Sequence, residues 1–306
     1  MDVRTLQPGE VITENGIYNI HIDRYHHDPN LCDGPSISNS GLRLFEKCPE
    51  AYWHQSPFNP NRVPPEPRHH FTFGRVAHSL VIEGKLPEGL LISPFDDFRK
   101  AAAREWRDSH LAEGYEILKK ADLDIIEAMA ERLSQEQMIK DGLLAGQVEK
   151  SIIWKDEQTG IWLRSRPDAL PFDAVYADYK TAVSADPDDI SRDLFDKGYA
   201  PQMALTAEGV ATALGRVLDT FSLVVQEKKA PYTVTIAAVS DEALTWAARL
   251  NRQAIDRFAH AIKENDWPGY RAGPVTVGVP GWLKKKFEAN ENILPEVKTL
   301  KEMANV

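Results

Sequence analysis

The stretch VEKSIIWKDEQTGIWLRSRPDALPFDAVYADYKTA, residues 148–182, decides the fold. VEKSIIW and IWLRSRPDAL are strand-length runs rich in β-branched and aromatic residues, and KDEQTG between them has turn chemistry. The pair predicts a β-hairpin, with AVYADYKT as a third strand continuing a meander. Upstream the period is helical. Ser38 or Asn39 caps a helix carrying Leu42 and Phe45, and Pro49 restarts one through Tyr52 and Trp53. A proline-rich loop at 59–70 leads to a helix at about Phe71–Glu83, with the stripe Phe73, Val76, Ala77 and Leu80, closed by Gly84. Further helices are expected at Asp96–Ser109, opened by acidic residues, and from Asp122 to about Lys140. Downstream come helices at Pro187–Phe195 and Tyr199–Leu214, the strands FSLVVQ and YTVTIAAV, and an amphipathic helix at Asp241–Asn265. A basic helix near Trp282–Glu288 closes the chain. This order predicts an α/β fold whose central mixed sheet is flanked by helices, beneath an N-terminal helical layer. The expected division is an irregular N-terminal arm (1–35), one domain at 36–265 and a tail at 266–306. Within the domain, 36–147 is the helical part and 148–265 the sheet core.

The 306 residues are 42% hydrophobic and 27% charged, enough apolar surface for a core and ordinary for a soluble chain. No run approaches the roughly 18 apolar residues of a membrane span. Met1–Glu10 carries no signal-peptide pattern. Two cysteines, Cys32 and Cys48, build neither a disulfide framework nor a four-thiolate cluster, so a reducing, cytoplasmic setting is expected. The net charge of −10 excludes a protein that coats nucleic acid by bulk charge, though not a local basic channel. The G-x-x-x-x-G-K-[ST], G-x-G-x-x-G, G-x-S-x-G and H-E-x-x-H signatures are absent. His21, His26, His27 and Cys32 match no structural-zinc spacing and read as a solvated loop. His69 and His70 read as loop residues beside the following helix. Lys284, Lys285 and Lys286 read as a solvated helix face, with contact to a nucleic-acid backbone as the alternative.

One constellation carries chemistry. Pro167-Asp168 precedes Asp178-Tyr179-Lys180 by nine residues. Residues two apart on a strand share a face, so Asp178 and Lys180 point together, and a hairpin or meander can bring Asp168 beside them. Two close carboxylates repel unless a cation lies between them, and a hard divalent ion with oxygen ligands resolves the conflict. Lys180 could then hold or activate a water against a scissile phosphate. Arg164 and Arg166 alternate onto the Asp168 face as candidate phosphate donors. Alternating charge on a surface strand produces D-x-K by itself constantly. The combination on consecutive strands is what singles it out.

These residues resemble the PD-(D/E)XK nuclease superfamily. Gly74-Arg75-Val76-Ala77-His78 resembles the G-x-x-x-H helix of its RecB-like branch, as SISNSGLRLFEKCPEAYW does its Ser-rich, Cys-Pro segment. Gln202 stands where that branch places a glutamine. More narrowly, SNSGL, FTFGRVAHSLVIEG, TGIWLRSRPDAL, ADYKTA, VVQEKKAPYTV and WPGY…VPGW resemble, in order, the RecE-type phage exodeoxyribonuclease VIII family. The resemblance implies that His78, Asp168 and Asp178, with the main-chain carbonyl of Tyr179, hold Mg²⁺, for which Mn²⁺ substitutes. It implies Lys180 as the catalytic lysine, Gln202 contacting substrate or steadying it, Glu149 in support, and Arg75, Arg164 and Arg166 on the substrate. The related motif is Q-x-x-x-Y, whereas residue 206 here is Thr.

The resemblance further implies 5′ to 3′ digestion of linear double-stranded DNA, leaving 3′ single-stranded overhangs for phage-type recombination. A ring-like homo-oligomer, trimeric or tetrameric, and a RecT-like annealing partner come with it. Two alternatives stay open: a RecB-like nuclease of another role, endonucleolytic or CRISPR-associated, and a non-catalytic DNA-binding module.

Overall fold

In the computed structural model of the chain, residues 2–62, 69–271 and 273–289 are described. The chain opens with β1 (Val3–Thr5), β2 (Gly16–Asn19), α1 (Ile22–His27), β3 (Ser36–Ser38), α2 (Asn39–Lys47) and α3 (Pro49–Gln55). Next, α4 (His69–His78) runs into a π-helical turn at Ser79–Glu83, followed by β4 (Leu90–Ser93), α5 (Ala101–Ala112), β5 (Glu116–Lys119), α6 (Lys120–Leu133) and α7 (Gln137–Lys140). The strands β6 (Gln147–Val148), β7 (Ser151–Lys155), β8 (Trp162–Ser165), β9 (Ala169–Leu170) and β10 (Val175–Ala182) then precede α8 (Pro187–Asp196) and α9 (Tyr199–Leu214). Finally come β11 (Thr220–Glu227), β12 (Val234–Ala238), α10 (Asp241–Glu264) and α11 (Gly281–Ala289). Residues 1–267 form one compact unit, and 268–306, with α11, a second.

The fold is mixed α/β. A five-stranded mixed sheet has the order β1-β2-β7-β8-β3, and a three-stranded mixed sheet the order β10-β11-β12. The predicted hairpin is present as the antiparallel pair β7–β8. The predicted meander is not: β10 pairs in parallel with β11 rather than with β8. Proline supplies no N–H to a ladder, and the strand stops before Pro167. It resumes as β9, which pairs antiparallel with β6.

The segment expected to be an irregular arm is built into the fold. β1 and β2 extend the larger sheet, and Ile12, Ile17, Tyr18, Ile20, Tyr25 and Leu31 are buried. Its strands span three and four residues, too few for an alternating pattern to show. The loop expected to carry His26 and His27 is the short helix α1. Cys32 and Cys48 are both buried and unpaired, and burial pushes the Cys32 thiol up to about 12.

Local chemistry explains the other boundaries. The Ser38 hydroxyl accepts the Gly41 N–H and caps α2. Asp96 and Asp97 do not open a helix; Asp97 accepts the Arg99 N–H in a turn, and α5 begins only at Ala101. The long helix expected from Asp122 is divided, because α6 stops at Leu133 and α7 starts at Gln137. The parallel pair β4–β5 has no counterpart in the sequence reading.

β10 and β11 lie between two apolar layers. One contains Tyr176, Leu223 and Val225 with Met203 and Leu205 of α9 and Ile255 and Phe258 of α10. The other contains Ala177, Tyr179 and Val224 with Leu133 and Leu144. Period-two alternation thus assigns each residue of β10 to a layer, leaving Asp178 as a charged residue facing the first. The helix α9 comes close to β7 because residue 209 is Gly: a Cβ there would lie 2.5 Å from the Trp154 ring. Gly209→Ala is therefore expected to lose roughly 1–3 kcal/mol in urea unfolding, the usual range for overpacking. Unchanged stability would show that Trp154 has room to move.

Candidate active site

The acid–base cluster lies at the gap where Pro167 breaks the strand. Asp168 follows that proline directly, between β8 and β9, and Asp178 and Lys180 come from the middle of β10. His78 ends α4, and Gln202 sits in the first turn of α9. The structure brings these five together. His78 Nδ1 is 3.1 Å from Asp168 Oδ2, and Lys180 Nζ is 2.6 Å from Asp178 Oδ2 and 4.0 Å from Asp168 Oδ2. Gln202 Nε2 donates to Asp178 Oδ1 at 3.3 Å, and the Tyr176 hydroxyl reaches the same oxygen at 3.4 Å.

Burial shapes the charges. It pushes the Asp168 carboxyl up, but His78 and Lys180 outweigh it and hold that group well below the usual carboxylate range. Asp178 is pushed above the ordinary value, first by burial and also by Asp168, against the pull of Lys180. Burial pulls the Lys180 ammonium down, yet Asp178 and Asp168 raise it above an ordinary lysine, so it is an ammonium at neutral pH. The Asp178 side chain is 1% exposed, whereas that of Asp168 is 24% exposed and lines a pocket of about 340 Å³. Gly74, Arg75, His78, Glu83 and Glu149 line the same pocket.

Among the described residues, no three His, Cys, Asp or Glu side chains are gathered closely enough to hold a metal ion as they stand. The cation between the two carboxylates here is the Lys180 ammonium. The donor set nevertheless fits a hard divalent ion. Asp168 Oδ2 and Asp178 Oδ2 are both buried and accept no hydrogen bond of proper geometry, although the Lys180 ammonium lies 4.0 Å from the first and 2.6 Å from the second. Two such oxygens beside an imidazole are the ligand types a divalent cation takes. The Tyr179 side chain points away: its hydroxyl donates to Gln226 Oε1 at 2.7 Å, leaving only its main chain as a candidate ligand.

The arginines require a correction. Arg164 does not face phosphate; it is 5% exposed, lies 5.2 Å from the centre of the Tyr25 ring and donates to the Tyr25 carbonyl. Arg166 is also tied down, donating to the Ile20 carbonyl at 3.0 Å and to Glu149 Oε2 at 3.1 Å. Alternation failed as a guide because it assumes one unbroken strand from 164 to 168, and Pro167 interrupts it. Arg75 is half-exposed at the pocket and pairs with Glu116 at 2.8 Å. Glu149, expected within the strand VEKSIIW near its start, is a turn residue with φ of 53°, and its N–H donates to the Asp168 carbonyl. Thr206 is fully buried, bonded to Ser165 at 2.7 Å, and cannot stack on a base. His69 and His70 have side chains outside the described set.

One residue of the pocket, Glu83, and one buried neighbour of Asp178, Tyr176, were not singled out from sequence. Glu83 lies five residues after His78, which an α-helix would turn to another side; the π-helical turn brings it onto the pocket. Tyr176 does carry a sequence signal, since it precedes Asp178 by two on a strand.

Residues 38–276 match the family described as PDDEXK-like domain of unknown function (DUF3799). The chain belongs to this family. A provisionally named exonuclease from Eubacterium rectale superposes on this PDDEXK-like chain with a TM-score of 0.53 at 17% identity. The overlap covers 79% of this chain and 91% of that one, and it shows a shared fold. An alkaline exonuclease from Laribacter hongkongensis aligns with a TM-score of 0.23 at 11% identity, covering 65% of this chain and 97% of that one, too loosely to carry an argument. No curated protein matches the chain. No helix among the described residues is long and apolar enough to cross a membrane.

The structural role of Arg164 is testable. Arg164→Met is expected to cost about 1–3 kcal/mol in urea melts, because it strips a partner from a buried carbonyl. Any binding to duplex DNA should keep its salt dependence. A salt slope reduced by about one would put this arginine on a phosphate.

Proposed function

We propose that this PDDEXK-like chain is a metal-dependent exodeoxyribonuclease that hydrolyses linear double-stranded DNA from its ends. The observation that supports it most is the convergence of Asp168, Asp178, Lys180 and His78 from three separate segments into one charged cluster, of which His78 and Asp168 line an open pocket. Buried ion pairs are poor stabilisers, so four ionisable side chains collected in this way favour chemistry over architecture. The finer reading rests on resemblance to RecE-type nucleases: 5′ to 3′ polarity, a 3′ overhang for recombination, a ring-like homo-oligomer and a RecT-like partner.

Asp168, Asp178 and His78, with the Tyr179 carbonyl, would hold Mg²⁺ or Mn²⁺, which supplies Lewis-acid stabilisation of charge building on the phosphate and its leaving 3′ oxygen. The side chains do the rest. Lys180 stands 2.6 Å from Asp178 Oδ2, and its N–H groups can orient a water or a phosphate oxygen beside that carboxylate. Gln202 holds Asp178 Oδ1. Asp168 faces the open pocket, where substrate enters past Arg75.

Digestion of linear duplex DNA labelled at the 5′ ends or internally, beside a closed circle, tests this. Loss of the 5′ label from linear DNA is expected with Mg²⁺ or Mn²⁺ and not with EDTA, with the circle left intact. Lys180→Ala should lower turnover by about a hundredfold or more, the scale of a lost electrostatic group, while DNA binding persists. Cutting of the circle would make the protein an endonuclease. Binding without cleavage under any metal would leave it a binding module.

A further inference from the structure

The Asp178 carboxylate is held asymmetrically. Oδ1 receives two donors, the Tyr176 hydroxyl and Gln202 Nε2. Oδ2 receives none of proper geometry and faces the Lys180 ammonium at 2.6 Å. Tyr176 shares the face of Asp178 and Lys180 through strand alternation. Its ring is fully buried and meets Phe221 edge-on at 6.0 Å, so the core sets where the phenol oxygen lies. An ionised carboxylate can only accept, which directs the single phenol proton at Oδ1. The phenol is also met by the Thr206 hydroxyl. Thr206 in turn donates to the Gln202 carbonyl at 2.9 Å and pairs with Ser165 of β8. Strand β10, helix α9 and strand β8 are thereby joined at one oxygen of one carboxylate.

We infer that Tyr176 is a positioning residue: its buried hydroxyl, with Gln202, ties Asp178 Oδ1 to the sheet–helix junction, so that Oδ2 is the oxygen offered to a divalent cation. This rests on the metal-dependent reading above. A carboxylate free at both oxygens rotates and presents either one; two donors on one oxygen remove that freedom. Both contacts are long for hydrogen bonds, so the effect comes from the pair acting on one atom rather than from either bond alone. Partners that orient ligating groups typically contribute 10–100-fold in metal affinity or activity.

The test is the Mn²⁺ affinity of the full-length protein, measured by calorimetry without DNA, beside the metal-free melting temperature. Tyr176→Phe keeps the packed ring and should bind Mn²⁺ about tenfold more weakly while melting within a few degrees of wild type. Combining it with Gln202→Leu should weaken binding beyond either single change. Thr206→Val, which loosens the phenol without removing it, should give a second, smaller loss. Tyr18→Phe is the control: that tyrosine is also buried, its hydroxyl donates to the Glu14 carbonyl, and its loss should leave Mn²⁺ affinity unchanged. Affinity of Tyr176→Phe within twofold of wild type would overturn the inference alone. No Mn²⁺ binding by wild type would sink the metal-dependent reading and this inference with it.

Discussion

Two carboxylates share one poorly solvated space in this protein, and much of the surrounding structure answers that constraint. Like charges about 4 Å apart repel by about 4 kcal/mol at the effective dielectric of a partly buried site. Lys180 and His78 offset this repulsion, so that Asp168 stays ionised and Lys180 stays protonated. The arrangement has a cost that a plain apolar core would not carry. Its Oδ2 atoms remain without proper hydrogen bonds, which marks them as places for a stronger cation than an ammonium.

The fold delivers each member by a different device. Alternation on β10 puts Asp178 and Lys180 on one face and Tyr179 on the other. Pro167 stops β8, which frees Asp168 from the ladder and turns it toward the pocket. The π-helical turn after α4 lets His78 and Glu83 serve the same cavity. Gly209 lets α9 approach β7, and the Thr206–Ser165 contact fixes the same helix to β8, so Gln202 arrives at Asp178 within reach. The N-terminal segment contributes as well: Tyr25 holds Arg164 of β8, and the Ile20 carbonyl holds Arg166 in the stretch that leads from β8 into Asp168.

Sequence alone revealed those parts where a local rule and the three-dimensional outcome agree. The D-x-K spacing on a strand, the hairpin before it and the helix that carries His78 obey short-range periodicities, and the side chains they place do come together. The roles of Arg164 and Arg166 were misjudged because alternation was carried across a proline. The strands at 3–5 and 16–19 were illegible because they are only three and four residues long, and the pair joins the sheet through β7, more than a hundred residues downstream of β2, which nothing local announces. The separation of β10 from β8 was hidden for the same reason: its partner β11 follows two intervening helices. Glu83 was hidden because a π-turn is not visible in an α-helical pattern.

The central claim is that the carboxylate pair requires a cation and that a divalent ion can supply it. The most direct measurement is the melting temperature of Lys180→Met at about pH 8, with and without Mn²⁺, beside wild type. Removing one partner of a buried pair leaves charge uncompensated and destabilises strongly. A ligand that binds only the folded state restores stability by mass action. The account therefore predicts that Lys180→Met melts well below wild type without metal and gains more from Mn²⁺ than wild type does. A variant that melts like wild type and gains nothing from Mn²⁺ would contradict it.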